Sequence, residues 1–259
     1  DKGDAPLKVT LAAAMLAACV WWRPATREVS PLPLYDPCCG SGTIVIEAAQ
    51  LALGLPAGGQ RRFAFERLKG FDAAAWNAIK NEATRAYSTR TGGTNDLKNA
   101  PVRVFGSDVA HRMVDFAQRN AERAGVAHAV QLRGGDALQR LPPTDQPGVL
   151  LLNPPYGERI AAAGVAGHKA RGREAFQSSA PARQGADGGA ADAHAGDEFF
   201  NRLAAHWKSH YAGWSAWLLT PDQKLPGRLR LKESRRVPLW NGPIECRLFR
   251  FDLTARAPR

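Results

Sequence analysis

Polar and apolar positions along this chain follow two alternating periods. Short apolar runs of strand length occur at Leu32–Tyr35, Val102–Asp108, Ala129–Leu132, Gly148–Leu152 and Trp214–Thr220. Between them lie stretches with helical spacing. Residues 5–22 predict a helix packed on the core, Thr43–Leu53 a second, and Ala110–Ala124 a third, closed by Gly125. Glu198–Tyr211 predicts a helix with Phe199, Phe200, Leu203 and Trp207 on one side. Val237–Trp240 and Glu245–Leu253 read as a closing hairpin around Asn241-Gly242-Pro243. Strands alternating with helices argue for a parallel α/β sheet covered on both faces.

Two segments break this rhythm. Residues 54–100 form an insert with local helices at Arg61-Arg62-Phe63-Ala64-Phe65-Glu66 and after Asp72, an N-cap residue, and a loop at Thr91–Asn95. Residues 161–196 hold 13 Ala and 7 Gly, with only Val165 and Phe176 as large apolar side chains. Such a composition buries too little surface to offset the entropy of ordering, so a flexible low-complexity insert is expected. It directly follows Asn153-Pro154-Pro155-Tyr156, where a lid would lie, but nothing in its residues argues for one.

A chain of 259 residues fits one domain, 1–259, with 1–30 as an N-terminal helical segment. It starts at Asp1, and it is expected to be part of a longer enzyme. The apolar run Leu11–Trp22 is too short to span a membrane. Asp1, Lys2, Asp4 and Lys8 deny it the positive start of a secretion signal, so no membrane partner is expected. Cys19, Cys38, Cys39 and Cys246 contain no C-x-x-C pair, which argues against zinc and for a reduced, cytoplasmic setting. The net charge of +11 is uneven, with 12 Lys/Arg against 4 Asp/Glu from Asn201 onward. Arg228, Arg230, Lys232, Arg235 and Arg236 are dense enough to attract a phosphate backbone, although a solvated face of a basic protein reads the same way.

Two motifs carry the candidate chemistry. Leu150-Leu151-Leu152 ends in Asn153-Pro154-Pro155-Tyr156. Consecutive prolines cannot continue a central strand, so the chain leaves the sheet in a rigid turn. That turn offers an amide, carbonyls and an aromatic face, a set suited to a flipped-out nucleobase; an ordinary strand-ending turn is the plainer alternative. Upstream, Tyr35-Asp36-Pro37-Cys38-Cys39-Gly40-Ser41-Gly42-Thr43 places an acid and a Gly-x-Gly turn between a strand and a helix. No Gly-Lys-Ser/Thr follows, and position 45 is Val, so neither a P-loop nor a dinucleotide fingerprint is present. An acid ahead of the glycines suits a cationic ligand. Asp36, Asp108, Asp136 and Asn153 fall at four successive strand ends, where ligands of such sheets bind.

Asp36-Pro37-Cys38-Cys39-Gly40-Ser41-Gly42-Thr43 and Asn153-Pro154-Pro155-Tyr156 resemble motifs of S-adenosylmethionine-dependent amino-methyltransferases. With Ala5–Ala14, Gly157-Glu158-Arg159 and Asn241–Leu248, they resemble the bacterial THUMP-containing 23S rRNA guanine-N2-methyltransferases. The resemblance covers most of 1–160 and 197–254. It implies a Rossmann-like class I methyltransferase fold of seven mostly parallel strands with an antiparallel C-terminal edge. S-adenosylmethionine is the implied cofactor and ribosomal RNA the partner, with a THUMP RNA-binding domain expected N-terminal in the full-length protein. Asp36, Cys38, Thr43 and the turn Gly40–Gly42 would hold the methionine end. Asp108 would accept from the ribose, and Asp136 with Ala137 would meet the adenine. Asn153 and Pro154 would accept the N–H groups of the substrate amine, Tyr156 would stack on its base, and Lys8 and Thr10 would border the pocket.

Two alternatives stay open. Asn-Pro-Pro-Tyr also serves DNA adenine-N6 and protein glutamine methyltransferases, although no segment reads as a DNA target-recognition domain. A non-catalytic RNA-binding scaffold is the other, against which stand the polar residues kept at all four strand ends.

Overall fold

In the computed structural model of the chain, which describes residues 7–59, 61–90, 103–154 and 188–254, Leu151 faces one side of a seven-stranded sheet while Leu150 and Leu152 face the other. All three are fully buried, as strands covered on both faces require. The strands are β3 (Leu34–Asp36), β4 (Val104–Asp108), β5 (Val130–Gly134), β6 (Val149–Leu152), β7 (Ser215–Thr220), β8 (Arg235–Asn241) and β9 (Ile244–Asp252). Their order is β5-β4-β3-β6-β7-β9-β8. The first five run parallel, and β9 and β8 close the sheet antiparallel. Strand order reverses at β3: the chain first builds outward through β4 and β5, then returns to lay β6 on the other side.

Helices α1 (Val9–Ala18), α2 (Thr43–Ala52) and α4 (His111–Arg123) cover one face, packing Met15, Leu16, Val45 and Ala121 in one core with Leu151 and Trp217. Helices α5 (Gly188–His210) and α6 (Leu225–Leu229) cover the other, where Phe199, Phe200, Leu203 and Trp207 join Leu150, Leu152 and Phe249. Helix α3 (Ala73–Arg90) lies in the insert after a 3-10 turn at Ala64–Arg67. Asp72 caps it as expected, its Oδ1 accepting from Ala74 and Ala75 N–H, each at 2.9 Å.

Two expectations are corrected, and one helix is added to them. The N-terminal helix stops at Ala18 rather than continuing to residue 22, because Val20 takes the left-handed conformation (φ 59) and turns the chain. Trp21 is then buried, donating through Nε1 to the Leu32 carbonyl at 3.0 Å, and β1 (Trp22–Arg23) pairs with β2 (Glu28–Val29). Helix α5 begins at Gly188 rather than near Glu198, so 188–196 are helical; alanine is the strongest helix former, and it wins over the glycines there. The short helix α6 inside the basic stretch was not read from the sequence. Residues 161–187 and the loop Thr91–Asn95 lie outside the described residues. Among those described, no helix is long and apolar enough to cross a membrane.

Candidate active site

β3 delivers Asp36 to the carboxyl end of the sheet with its side chain fully buried. Its Oδ1 accepts the Cys38 N–H at 3.0 Å. Burial raises its pKa to about 8, and the nearby Asp108 adds to that; the one amide bond opposes both. The loop to α2 is pinned to its neighbours. Cys39 N–H donates to the Ser107 carbonyl at 2.9 Å, Gly40 N–H to Asp108 Oδ2 at 3.0 Å, and Asn120 Nδ2 to the Ser41 carbonyl at 2.9 Å. Gly42 caps α2 at φ 88, and a Cβ there would sit 3.0 Å from the Ala117 Cβ and 3.1 Å from Ile46 Cδ1. Two constraints therefore demand glycine: the positive φ and the close approach of α4.

A pocket of about 110 Å³ opens where the strand order reverses, between the ends of β3 and β6. It brings together Asp36, Cys38, Gly40, Thr43 and Asn153, all singled out in the sequence. Asn153 is half-buried one residue beyond β6, and Pro154 is buried. Tyr156 lies outside the described residues. Lys8 and Thr10 do not join the wall; both are exposed, and Leu7 lines the pocket instead, with Met113 from α4. No periodicity in the sequence marks either residue. The Cys38 and Cys39 thiols are pushed well up, first by burial and then by the carboxylates of Asp36 and Asp108. They stay neutral near pH 7, so they contribute small side chains rather than a nucleophile.

Asp108 has a task the sequence did not reveal. Beyond holding Gly40 through Oδ2, its Oδ1 accepts the Ala110 N–H at 2.9 Å and so steers the entry to α4. Burial raises its pKa too, against both amide bonds. Each oxygen keeps a lone pair for a ligand. Asp136 and the buried Ala137 follow β5 in a tight turn outside the Asp36 pocket. Asp136 Oδ1 accepts the Leu138 N–H at 2.9 Å, while Oδ2 is buried without a partner among the described residues. Leaving a buried acceptor unmet costs about 1–3 kcal/mol, a cost that a ligand amine would offset. This turn is tied to α5: the Arg140 carbonyl accepts the Tyr211 hydroxyl and meets His206 Nε2, both at 2.7 Å.

These groups fit a nucleoside carrying a cationic amino-acid tail: buried carboxylates, a glycine turn open to close approach, and an unmet acceptor two residues past β5. Comparisons with known proteins give the family. Residues 1–169 match the family UPF0020, the RMKL-like methyltransferase domain. Over 258 residues the chain is 34% identical to the ribosomal RNA large subunit methyltransferase K/L of Shewanella baltica strain OS195, covering 99% of this chain. The homologue of Shewanella sp. strain MR-4 is 33% identical over the same length. The chain spans 30% of the length of both. Among solved structures, SMU.472 in complex with SAH is similar with a TM-score of 0.70 and 26% identity, over 100% of this chain and 55% of that one. A Listeria monocytogenes protein described as a predicted N6-adenine-specific DNA methylase gives 0.66 and 25%, over 96% and 52%. The sheet is that of the Rossmann-like class I methyltransferases. The matched stretch contains the Gly-x-Gly turn and Asn153, the two sides of the pocket, and the chain belongs to the RMKL-like methyltransferase domain family.

Proposed function

We propose that this domain transfers a methyl group from S-adenosylmethionine to the exocyclic N2 amine of a guanine in 23S ribosomal RNA. The observation that carries the reading is the sharing of one pocket by Asn153, Asp36 and Gly40 at the point where strand order reverses. Sheets of this kind bind ligands there. Support for the cofactor comes from the SAH held by SMU.472, and support for the substrate from the K/L relatives. Those relatives are much longer than this chain, which leaves room for the expected THUMP domain.

When bound, S-adenosylmethionine supplies the electrophilic methyl and its own leaving group. The chain binds and aligns. Asp36 pairs with the ammonium, and the Gly40–Gly42 turn lets the backbone come close. Cys38 and Thr43 border the methionine end. Asp108 accepts the ribose hydroxyls through its remaining lone pairs. Asp136 Oδ2 accepts the adenine amine, and the Ala137 N–H meets a ring nitrogen. On the substrate side, the Asn153 carbonyl oxygen and the Pro154 carbonyl accept the two N–H bonds of the base amine. That turns its lone pair toward the methyl, an alignment that contributes several kcal/mol. Tyr156 stacks on the base.

The Listeria neighbour favours one other reading, methylation of adenine N6 in DNA. Incubating the domain with methyl-labelled cofactor and either 23S rRNA or duplex DNA, then digesting to nucleosides, separates the two. Label in N2-methylguanosine supports the proposal. Label in N6-methyldeoxyadenosine supports the alternative, and no label in any nucleic acid refutes both.

A further inference from the structure

The insert between α2 and β4 carries an aromatic group that is no part of either core. Phe63 and Phe65 stack at 5.3 Å, and Trp76 of α3 meets both edge-on, at 5.7 and 5.0 Å. Phe71 closes the group at 6.1 Å from Phe65. These rings pack on one another rather than on the sheet, and the surface they build stays open: Phe65 is 39% exposed, Leu68 66% and Ile79 56%. Cations sit among the rings. The Arg61 guanidinium lies 5.6 Å over Phe63, and Lys80 Nζ 5.8 Å over Trp76. Trp76, Ile79, Lys80 and Ala83 fall on one stripe of α3.

The charge of this surface is one-sided. Residues 61–85 hold six Lys/Arg (Arg61, Arg62, Arg67, Lys69, Lys80, Arg85) against Glu66, Asp72 and Glu82. Two of those acids are turned toward backbone: Glu66 Oε1 accepts the Phe63 N–H at 2.8 Å, and Asp72 caps α3. In the C-terminal basic stretch, Arg228 faces Asp222 at 3.3 Å and Arg236 faces Glu233 at 2.7 Å. Open rings interleaved with cations match single-stranded nucleic acid, whose bases stack while its phosphates pair with Lys and Arg. A partner protein would use the apolar residues but leave the positive excess unanswered.

We propose that the surface around Phe65, Trp76 and Lys80 is a docking site for single-stranded RNA, outside the pocket lining. The proposal rests on the RNA reading of the function for its biological partner, but the surface binds RNA whether or not methyl is transferred. Among the described residues, none that lines the pocket comes from the insert. Docking there therefore sets the affinity for RNA and leaves the chemical step alone.

The test is fluorescence anisotropy of this chain with a labelled single-stranded RNA of about a dozen nucleotides, across a salt series. The variants are R62E/K69E, at two exposed positions, and F65A. Each is checked by SAH titration, which an intact fold leaves unchanged. The charge reversal is expected to weaken RNA binding at least tenfold and to flatten the log–log salt slope by roughly 1.4, at about 0.7 per phosphate. F65A is expected to weaken affinity several-fold with the slope retained. Unchanged affinity and slope in R62E/K69E overturn the proposal. So does a wild-type dimer that F65A dissociates without any effect on RNA, which would assign the patch to self-association. Failure of the function itself reads differently: RNA binds through the insert, yet no methyl is transferred.

Discussion

Cofactor affinity should depend on pH through Asp36. Its carboxyl is buried in a pocket wall, and its pKa near 8 means that at pH 6 about one molecule in a hundred carries the charge, against about half at pH 8. The ammonium of the ligand selects the charged form. Binding therefore draws Asp36 across its titration and releases a proton. Affinity for SAH should rise roughly fiftyfold from pH 6 to pH 8, about 2 kcal/mol, with most of the rise below pH 7.5, where the ligand amine is still protonated. The sign for stability is opposite. The folded pKa lies above the unfolded one, so this group's contribution is fully present at low pH and is lost as pH rises toward 8. Calorimetry with SAH at pH 7, in two buffers of different ionisation enthalpy, should report release of close to one proton. Asp36→Asn should abolish that release, flatten the affinity profile and raise the melting temperature of the free domain at pH 8. An affinity independent of pH in the native domain, or proton release retained in Asp36→Asn, would refute the assignment.

Val20→Gly should stabilise the domain by about 1 kcal/mol, seen in thermal or urea unfolding, because a β-branched residue is held there at positive φ. Gly42→Ala should do the reverse and also weaken SAH binding, since its Cβ would press on Ala117 and Ile46; an unchanged melting temperature would show that α4 yields freely. Arg235→Glu with Arg236→Glu should cost RNA affinity less than the insert variants do, because Arg236 already pairs with Glu233 and lies over Phe249; an equal or larger loss in the same anisotropy assay would return the RNA face to the C-terminal hairpin.

What could be read from the sequence was whatever one period or one spacing encodes. Leu150–Leu152 announced a buried strand because all three positions are apolar, and Asn153-Pro154 fixed its end because proline cannot extend a ladder. Asp36, Cys38, Gly40, Thr43 and Asn153 were nominated by motifs, and they meet in one pocket because β3 and β6 are neighbours. What was not legible depends on long-range packing or on unfavourable local geometry. Nothing near Val20 resembles a turn, so the end of α1 was missed. Leu7 rather than Lys8 enters the pocket because the helix start sets the direction of the chain, which composition does not reveal. The second task of Asp108, holding Gly40 and Ala110, arises only when β4 lies beside the β3 loop. The scarcity of large apolar side chains in 161–196 argued for flexibility, whereas residues 188–196 form the first turns of α5.

The central claim is that the pocket at the strand reversal brings cofactor and base amine together on Asn153. Single-turnover methyl transfer to 23S rRNA by Asn153→Ala, measured beside its SAH affinity, tests this most directly. Loss of the Asn153 contact to one of the two N–H groups should slow transfer by at least a hundredfold, about 3 kcal/mol, while SAH binding stays within a few-fold of the native value. Transfer at near-native rate in Asn153→Ala would contradict the account.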